Sequence, residues 1–362
     1  MLVERVGTRA FRNLADATTE LAPGLTVLAG PNGAGKTNLL EALFFGLTGR
    51  SPRTRREREL IRFGETMARS EVALVPGPGE EGEPARMLSS ISATEGRHRR
   101  IDGRPLAAED ERRRPAVSLF MPDRLALVKG PPSPRRAHLD RVAAAVWPAR
   151  AGARRGYGEA LAQRNALLAR LKRGGDPGTL EPWDAALAGA AVELVAARAA
   201  SAELLAEPFV IAAGELGLEG EASLTYRPRT DELDRDEIRV ELERRREADR
   251  RRGYSAWGPH LDEIVLARDG RELRRYGSQG EQRLGLLALL FAERAALGEA
   301  RRSLPVMLLD DVMSELDPDR RSRLVDLLDG GQALVTTTEA DHVPRSERVW
   351  EIEAGVVGKS SG

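Results

Sequence analysis

The sequence has 362 residues, of which 41% are hydrophobic and 31% charged, with no Cys and a formal net charge of zero. That length is enough for two or three units with a full core. The absence of Cys excludes a disulfide scaffold, a Cys-based zinc site, an iron–sulfur cluster and a thiol nucleophile. The four His residues show no metal-ligand spacing, no apolar run reaches the roughly 18 residues of a membrane span, and no signal peptide is recognisable. We therefore expect a cytoplasmic protein without a membrane segment.

The basic residues are nearly all arginines, since the only lysines are Lys36, Lys129, Lys172 and Lys359. A lysine inside a motif is therefore unusually informative in this chain. The balance of acids and bases argues against a general polyanion-binding surface, so contact with nucleic acid has to come from local patches.

A strand, a glycine-rich loop and a helix are predicted near the N-terminus. The apolar run 25–29 ends at a glycine, and residues 38–47 place their leucines on one helical face. Gly46 and Gly49 are in position to end that helix. Strands follow at 71–75, 87–92 and 97–100, with Asp102-Gly103 as a hairpin turn.

The segment 134–252 is rich in Ala, Leu, Arg and Glu, a composition typical of helices. The clearest helices are 157–172 and 183–205. No heptad pattern is sustained over three or four repeats, so no long coiled coil is expected. Beyond this segment we predict a second hairpin turn at Asp269-Gly270, helices at 281–297 and 319–328, and strands at 263–267, 306–309, 333–338, 349–353 and 356–357.

The loop after the first apolar run fits the phosphate-loop pattern G-x-x-x-x-G-K-[ST] at every position. Glycines let backbone N–H groups surround a phosphate, and the next helix presents the positive end of its dipole. The lysine reaches the β- and γ-phosphates and the threonine hydroxyl is a ligand for Mg²⁺. The predicted nucleotide-binding residues are Gly30, Pro31, Asn32, Gly33, Ala34, Gly35, Lys36 and Thr37.

A second apolar run, 306–309, is followed by Asp310 and Asp311. Continuous hydrophobicity favours a strand of a parallel sheet covered on both faces, and ligands bind at the carboxyl ends of such strands. We therefore expect Asp310 to hold Mg²⁺ and Asp311 to orient the attacking water, with Lys36 as the second catalytic residue. Acids at this position often only cap the next helix, so the phosphate loop is what makes the hypothesis specific.

The run Ser278-Gln279-Gly280-Glu281-Gln282-Arg283 opens the longest apolar helix. Ser278 and Glu281 have the spacing of a capping box, which is a purely structural role. The same helix start, with Gly280 beside it, is also suited to an anion. Because the chain already has a phosphate loop, this second site is expected to serve the nucleotide of another molecule.

The order of these motifs resembles that of ABC-type ATPases, with 314–317 similar to a D-loop. More closely, the chain resembles the RecF family, the bacterial recombination mediators related to SMC proteins. The resemblance extends over most of the chain and is carried by the runs 11–14, 33–42, 51–54, 128–130, 135–140, 163–168, 183–184, 258–260, 276–280 and 308–317.

The resemblance implies an α/β fold with an ABC-type P-loop ATPase head. Its lobe I, a mixed sheet with helices, would comprise residues 1–122 and 300–362, and a mainly helical lobe II with the signature motif would comprise 123–299. It implies ATP and Mg²⁺ as ligands, with Arg12 among the nucleotide contacts. It also implies a homodimer in which ATP is held between the phosphate loop of one subunit and Ser278 and Gly280 of the other.

The family's activity is ATP-dependent DNA binding in recombinational repair and replication restart. The resemblance therefore implies weak, DNA-stimulated ATP hydrolysis, binding to duplex and gapped DNA on the nucleoid, and RecR, RecO and RecA as partners. Two alternatives remain open: an SMC-like clamp that uses ATP only to hold a dimer together, and a transporter ATP-binding subunit.

Three departures from transporter ATPases stand out. No glutamine lies between Thr37 and Val128, so the Mg-sensing glutamine is missing. The run 120–123 resembles the RecF family at this point, although Met121 stands where a small polar residue is expected. The switch histidine is replaced by 336–338, three threonines. The second strand-end acid is Asp311 rather than Glu, which resembles RecF and implies slow hydrolysis. The sensor role stays unassigned.

Arginine clusters are the candidates for DNA contact. Between 234 and 252, eight Arg stand against seven acids, which is typical of a solvated helix with pairs such as Glu241–Arg245 and Glu247–Arg251. Arg53, Arg55 and Arg56 are better candidates. No aromatic residues alternate with them, so we expect contact with the duplex backbone. The other clusters are 97–100, 112–114, 135–136 and 154–155.

Overall fold

The computed structural model describes residues 1–107, 109–110, 113–230 and 234–359. Its strands are β1 (Leu2–Arg9), β2 (Ala17–Glu20), β3 (Leu25–Ala29), β4 (Met67–Val75), β5 (Ala85–Ser92), β6 (Gly96–Ile101), β7 (Arg104–Pro105), β8 (Val117–Phe120), β9 (Ala222–Arg227), β10 (Glu263–Arg268), β11 (Arg271–Glu272), β12 (Val306–Asp310), β13 (Ala333–Thr337), β14 (Arg348–Glu353) and β15 (Val356–Lys359). Its α-helices are α1 (Lys36–Thr48), α2 (Ala126–Lys129), α3 (Pro132–Val146), α4 (Ala153–Leu171), α5 (Glu181–Glu215), α6 (Arg235–Arg252), α7 (Leu273–Tyr276), α8 (Gln279–Arg301) and α9 (Pro318–Leu328).

The chain forms two compact units. The first comprises Met1–Arg124 and Leu297–Gly362, and the second comprises Leu125–Ala296. The first unit holds two six-stranded sheets, and the second is mainly helical with one three-stranded sheet.

The mixed sheet of the first unit has the order β15-β14-β3-β13-β12-β8, in which only β15 runs antiparallel to its neighbour. All residues of β3, β12 and β13 are buried, as their continuous hydrophobicity predicts. Because these three strands are parallel, their carboxyl ends share one edge of the sheet. That edge brings together the loop after β3, the acids after β12 and the threonines at the end of β13.

The second sheet of this unit is antiparallel, with the order β2-β1-β4-β5-β6-β7. Helix α1 packs against it through Gly46, where a Cβ would lie 2.5 Å from a Val72 methyl carbon. The prediction that Gly46 ends the helix is therefore wrong: it allows a close helix–sheet approach inside α1. Gly49, in the left-handed region at φ +70°, directly follows the last residue of the helix and caps it, and its N–H donates to Phe45 O.

The second unit is built around α5, a helix of 35 residues. α4, α6 and β9 pack against it, and Leu187, Ala191 and Leu194 lie in the shared core. The three-stranded sheet has the order β11-β10-β9. No long coiled coil occurs in the part of the chain that the structure describes.

One correction concerns membrane segments. The helical stretch Pro177–Glu215 contains an 18-residue window with a mean hydropathy of 1.4, which is long and apolar enough to cross a membrane. The expectation that no segment reaches that length is therefore wrong. Within the second unit, however, this stretch buries one face against neighbouring helices. Core helices satisfy the same length and composition test, and the buried face indicates such a role here.

Two arginines in the second unit are fully paired inside the protein. Arg164 is completely buried, and its guanidinium donates to Asp184 and Asp249 at 2.7 Å each. Arg198 pairs in the same way with Asp140 at 2.7 Å and Asp262 at 3.0 Å. Buried charges are tolerated only when paired and hydrogen-bonded. The Arg164 pairs therefore link α4 to α5 and α6.

Most predicted elements are confirmed, including both hairpin turns: Asp102-Gly103 and Asp269-Gly270 all have positive φ. The structure adds β1, β2, β8 and β9, which the sequence analysis did not predict. It also extends the predicted helix at 183–205 to Glu215, through Pro208.

Replacing Arg164 by Met tests the buried network. The change leaves two buried carboxylates without their central cation, and we expect a loss of about 3–5 kcal/mol in the free energy of unfolding. Urea titration followed by circular dichroism measures it. Arg155→Met is the matched control on the same helix, because Arg155 is exposed, and its midpoint should be unchanged. Equal midpoints for both variants would contradict the network's role.

Candidate nucleotide-binding site

The loop between β3 and α1 has the backbone that a phosphate loop needs. Gly30, Gly33 and Gly35 all have positive φ, at +154°, +81° and +116°. At Gly30 a Cβ would lie 2.2 Å from Ile352 O, and at Gly35 it would lie 3.2 Å from Asn13 and Leu14 atoms. Glycine is therefore required at 30 by contact as well as by conformation, whereas at 35 it is favoured mainly by conformation. The strand-before and helix-after context of the motif is confirmed.

Lys36 folds back over this loop. Its Nζ donates to Gly30 O at 2.7 Å and to Pro31 O at 3.1 Å. Burial lowers the pKa of Lys36, while the nearby Asp311 and Asp310 act in the opposite direction. A buried ammonium held by two carbonyls is a cation to which a phosphate can bind.

Thr37 and Asp310 join the two halves of the site. The Thr37 hydroxyl lies 2.8 Å from Asp310 Oδ1 and 3.0 Å from Oδ2. Thr336 Oγ1, at the end of β13, donates to the same Oδ1 at 2.8 Å. Burial raises the pKa of Asp310, as does Asp311, while the two hydroxyls lower it. The ionised carboxylate therefore lacks a full counter-charge, and a divalent cation is the kind of group that would supply it.

Asp311 follows in a left-handed backbone conformation, with φ +50°. Its N–H donates to Thr336 Oγ1 at 2.9 Å, so this one threonine orients both acids. Asp311 Oδ1 is buried and has no hydrogen-bond partner among the described residues. An unpartnered buried carboxylate oxygen indicates a missing donor, such as a water or substrate.

These groups line one cavity of about 300 Å³. The predicted site residues in its wall are Asn32, Gly33, Gly35, Lys36, Thr37, Asp310 and Asp311, and Asn38 and Arg53 complete it. The residues predicted to bind phosphate, to hold Mg²⁺ and to orient water thus meet in one place, although they come from distant parts of the chain.

Arg12 is placed beside this cavity by a buried acid that the sequence analysis did not single out. Glu41 is fully buried and accepts from Arg12 Nε at 2.6 Å, from Ser51 Oγ at 2.6 Å and from Arg53 Nη1 at 3.3 Å. Arg53 also donates to Asn38 at 2.8 Å. Glu41 lies in the run 33–42 that carries the family resemblance, one helical turn after Thr37 on α1, but nothing in the sequence assigned it a role.

Ser278 and Gly280 lie in the second unit, at the start of α8. Ser278 N–H donates to Glu281 Oε2 at 2.7 Å, and Glu281 N–H donates to Ser278 Oγ at 3.3 Å. The capping box is therefore confirmed. Ser278, Gln279 and Gly280 are all exposed, and no atom lies within 4 Å of where a Gly280 Cβ would be. The helix start is open to a partner.

The family-specific departures have structural counterparts. Met121 is buried in the hydrophobic core of the first unit, so it cannot serve as a polar sensor. Transporter ATPases have a switch histidine at the end of the strand that corresponds to β13. Here Thr336 occupies that strand end, where its hydroxyl donates to Asp310 and accepts from the Asp311 N–H.

The arginine clusters have different environments. Arg135 is buried and donates to Glu263. Arg99 donates to Leu47 O in the last turn of α1, and Arg97 donates to Gly49 O just beyond it. In α6, Arg245 pairs with Glu241 as predicted, but Glu247 pairs with Arg250 rather than Arg251. Arg112 lies outside the described residues. The exposed cluster near the cavity comprises Arg53, Arg55, Arg56 and Arg58.

Comparison with known proteins agrees with this geometry. Residues 2–360 match the RecF/RecN/SMC N terminal domain family. The chain is 41% identical over 345 residues to the DNA replication and repair protein RecF of Anaeromyxobacter sp. (strain Fw109-5), covering 91% of this chain and 90% of the relative. It is 34% identical over 377 residues to the protein of that name from Heliobacterium modesticaldum (strain ATCC 51547 / Ice1), covering 100% of both chains.

Among solved structures, the chain is similar to the recombination mediator protein RecF-ATP of the RecFOR pathway. The TM-score is 0.86 at 25% identity, over 99% of this chain and 97% of that one. The chain therefore belongs to the RecF/RecN/SMC family, on its RecF branch.

Replacing Asp310 by Asn tests the electrostatics of the site. Asn keeps an oxygen acceptor for the two hydroxyls but removes the under-compensated charge, so we expect the nucleotide-free protein to melt about 2–4 °C higher. The stabilisation given by ATP with Mg²⁺ should be lost. Thermal unfolding with and without Mg-ATP measures both effects, and Asp319→Asn, an exposed acid on α9, is the control.

The difference in stability between Asp310→Asn and the wild type should depend on pH in a defined way. Because the folded pKa of Asp310 is raised, its proton binds more tightly in the folded chain than in the unfolded one. That contribution to stability is full below the unfolded pKa and is lost as pH rises through the folded pKa. The stability advantage of the Asn variant should therefore grow with pH over that interval, and an advantage that shrinks would contradict the assignment.

Proposed function

We propose that this chain is an ATP-dependent DNA-binding protein of recombinational repair and replication restart, with weak ATPase activity that DNA stimulates. The observation that carries the proposal is the Thr37–Asp310 hydrogen bond, which joins residues 273 positions apart in one polar cavity. Its relatives are RecF proteins, and a similar solved structure is described as RecF-ATP.

In this proposal the cavity residues act on the triphosphate. Backbone N–H groups of residues 30–37 and the start of α1 bind the phosphates, and Lys36 supplies positive charge at the β- and γ-phosphates. Thr37 and Asp310 would hold Mg²⁺, which neutralises charge on the phosphates when bound. Asp311 accepts a hydrogen bond from the attacking water and fixes its direction. Arg12, held by Glu41, completes the nucleotide contacts.

The exposed start of α8 supports a composite site. Its N–H groups and dipole favour an anion, and neither Ser278 nor Gly280 is covered. We infer that Ser278 and Gly280 contact the γ-phosphate of ATP held by a second copy of the chain. Residues 1–122 and 300–362 then serve as the nucleotide-binding lobe and 123–299 as the signature lobe. ATP closes this homodimer on duplex DNA near single-strand gaps, and hydrolysis releases it.

The cellular role follows from the family. The similar solved structure is described as part of the RecFOR pathway, and we propose RecO and RecR as partners that help load RecA at gapped DNA on the nucleoid, in the cytoplasm. The full-length family match leaves the transporter alternative without support. An SMC-like clamp that uses ATP only to hold its dimer remains the alternative, and turnover distinguishes the two.

Replacing Asp311 by Asn makes that distinction. Asn tolerates the left-handed backbone at this position and removes the charge that orients water. ATP should still bind, turnover should fall roughly a hundredfold, and the dimer should persist longer on DNA. Phosphate release and DNA dissociation measure these effects, with Asp319→Asn as control. Turnover equal to that of the wild type would remove Asp311 from the proposed role.

Replacing Ser278 by Arg tests the composite site. If Ser278 is only a helix cap, the variant should lose about 1 kcal/mol of stability and keep its nucleotide chemistry. If it faces the partner's γ-phosphate, the long side chain should hold the subunits apart. We expect normal ATP binding by a monomer, no ATP-dependent dimer in sedimentation, and almost no hydrolysis.

A mixing experiment sharpens this test. Lys36→Met subunits lack the charge that binds the phosphates, so they are inactive alone. In a mixed dimer with Ser278→Arg, one composite site carries both defects and the other is intact, so the mixture should recover hydrolysis. Normal ATP-dependent dimerisation of Ser278→Arg would leave Ser278 as a cap.

A further inference from the structure

The aromatic side chain of Phe63 is exposed to solvent, and it has no role in the nucleotide site described above. Phe63 is fully exposed, at 104% of its reference area, and is the most exposed large hydrophobic residue in the described part of the chain. A single exposed hydrophobic residue is common on protein surfaces, so the case for a ligand here depends on the groups that surround the ring.

The turn that carries Phe63 is fixed. Glu65 N–H donates to Arg62 O at 3.0 Å, and Gly64 has φ +86°, which is the geometry of a type II turn with Phe63 at its outer corner. Arg62 N–H donates to Ala10 O at 2.9 Å, and the Arg62 guanidinium donates to Asp16 at 2.7 Å. The ring is therefore held out by a preorganised backbone.

The chain just before this turn is basic. Arg55, Arg56 and Arg58 are exposed, and no carboxylate of the described residues forms an ion pair with them. Glu57, which lies among them, is paired with Arg97 at 2.9 Å. Arg58 precedes Phe63 by five residues, so their Cα atoms are at most about 18 Å apart. Exposed arginines on the same segment as an exposed ring match a ligand with phosphates and flat bases.

We propose that Phe63 stacks on a base of the single strand in gapped DNA, while Arg55, Arg56 and Arg58 contact its phosphates. Aromatic stacking with a nearby positive groove is how proteins bind single strands without sequence preference. A protein partner is less consistent with the surface, because hot-spot aromatics lie within an apolar contact area, and no other residue of 53–65 is an exposed large hydrophobic. This inference rests on the proposed function. It attributes the protein's proposed preference for gapped DNA to the side chain of Phe63.

The same segment connects this ring to the nucleotide cavity. Arg53, at its start, lines the cavity, and Arg12 donates from its backbone N–H to Leu60 O at 2.8 Å and from Nη1 to Glu59 O at 3.2 Å. Phe63, proposed to stack on a base, and Arg53, which lines the nucleotide cavity, therefore belong to one segment, residues 53–65, that is hydrogen-bonded to Arg12.

The test compares Phe63→Ala, Phe63→Leu and Phe63→Trp in the full chain. Fluorescence anisotropy with ATP at fixed salt gives the affinities for a blunt duplex and for the same duplex with a short central gap. We expect Ala and Leu to weaken gapped-DNA binding about tenfold while duplex binding is unchanged, and Trp to keep wild-type affinity. Tyr254→Ala, which removes an aromatic ring that is 55% exposed, is the matched control and should leave both affinities unchanged.

Several outcomes overturn the inference. Unchanged affinities for both DNAs in Phe63→Ala would assign the ring to a protein partner, and equal losses on both would make it a general duplex contact. Wild-type affinity of Phe63→Leu for gapped DNA would exclude stacking. In each case ATP-dependent duplex binding by the wild type still supports the proposed function, whereas its absence would overturn the proposed function together with this inference.

Discussion

The Thr37–Asp310 hydrogen bond exists because β13 lies between β3 and β12 in a parallel sheet. That order places the phosphate loop and the strand-end acids on the same edge, two strands apart, with Thr336 on the strand between them. Thr336 can then donate to Asp310 and accept from the backbone of Asp311. The remaining chemistry of the site depends on this arrangement, since Thr37 and Thr336 together hold the Asp310 carboxylate and Thr336 holds the backbone of Asp311.

Charge is under-compensated at this edge, which is what the proposed binding of a phosphate and a cation requires. Lys36 is bound by carbonyls of its own loop, Asp310 by neutral hydroxyls, and Asp311 leaves a buried oxygen unpartnered. Each group is thus held by contacts weaker than the ion pairs found elsewhere in the chain, such as Arg164 with Asp184. A site of this kind costs stability when empty and gains it when a phosphate and a cation bind.

The sequence predicts the parts of the site that follow from local spacing and leaves out those that depend on long-range packing. The phosphate loop is a contiguous pattern, and Asp310 follows a run too apolar for any strand but a central one. Glu41 gave no comparable signal, because it is an ordinary acid on a helix until folding buries it under Arg12 and Arg53. Arg164 lies in the run 163–168 that carries the family resemblance, but its pairing with Asp184 and Asp249 depends on the packing of three helices. The exposure of Phe63 depends on a turn whose anchors come from residues 10 and 16.

The central claim is that ATP joins two copies of the chain around duplex DNA. Sedimentation velocity of the wild-type protein with ATP, with ADP and without nucleotide, each with and without duplex DNA, tests it most directly. The account predicts a dimer only with ATP, and DNA that sediments with the protein only under that condition. A monomer in all three states, or equal DNA binding by the nucleotide-free protein, would contradict it.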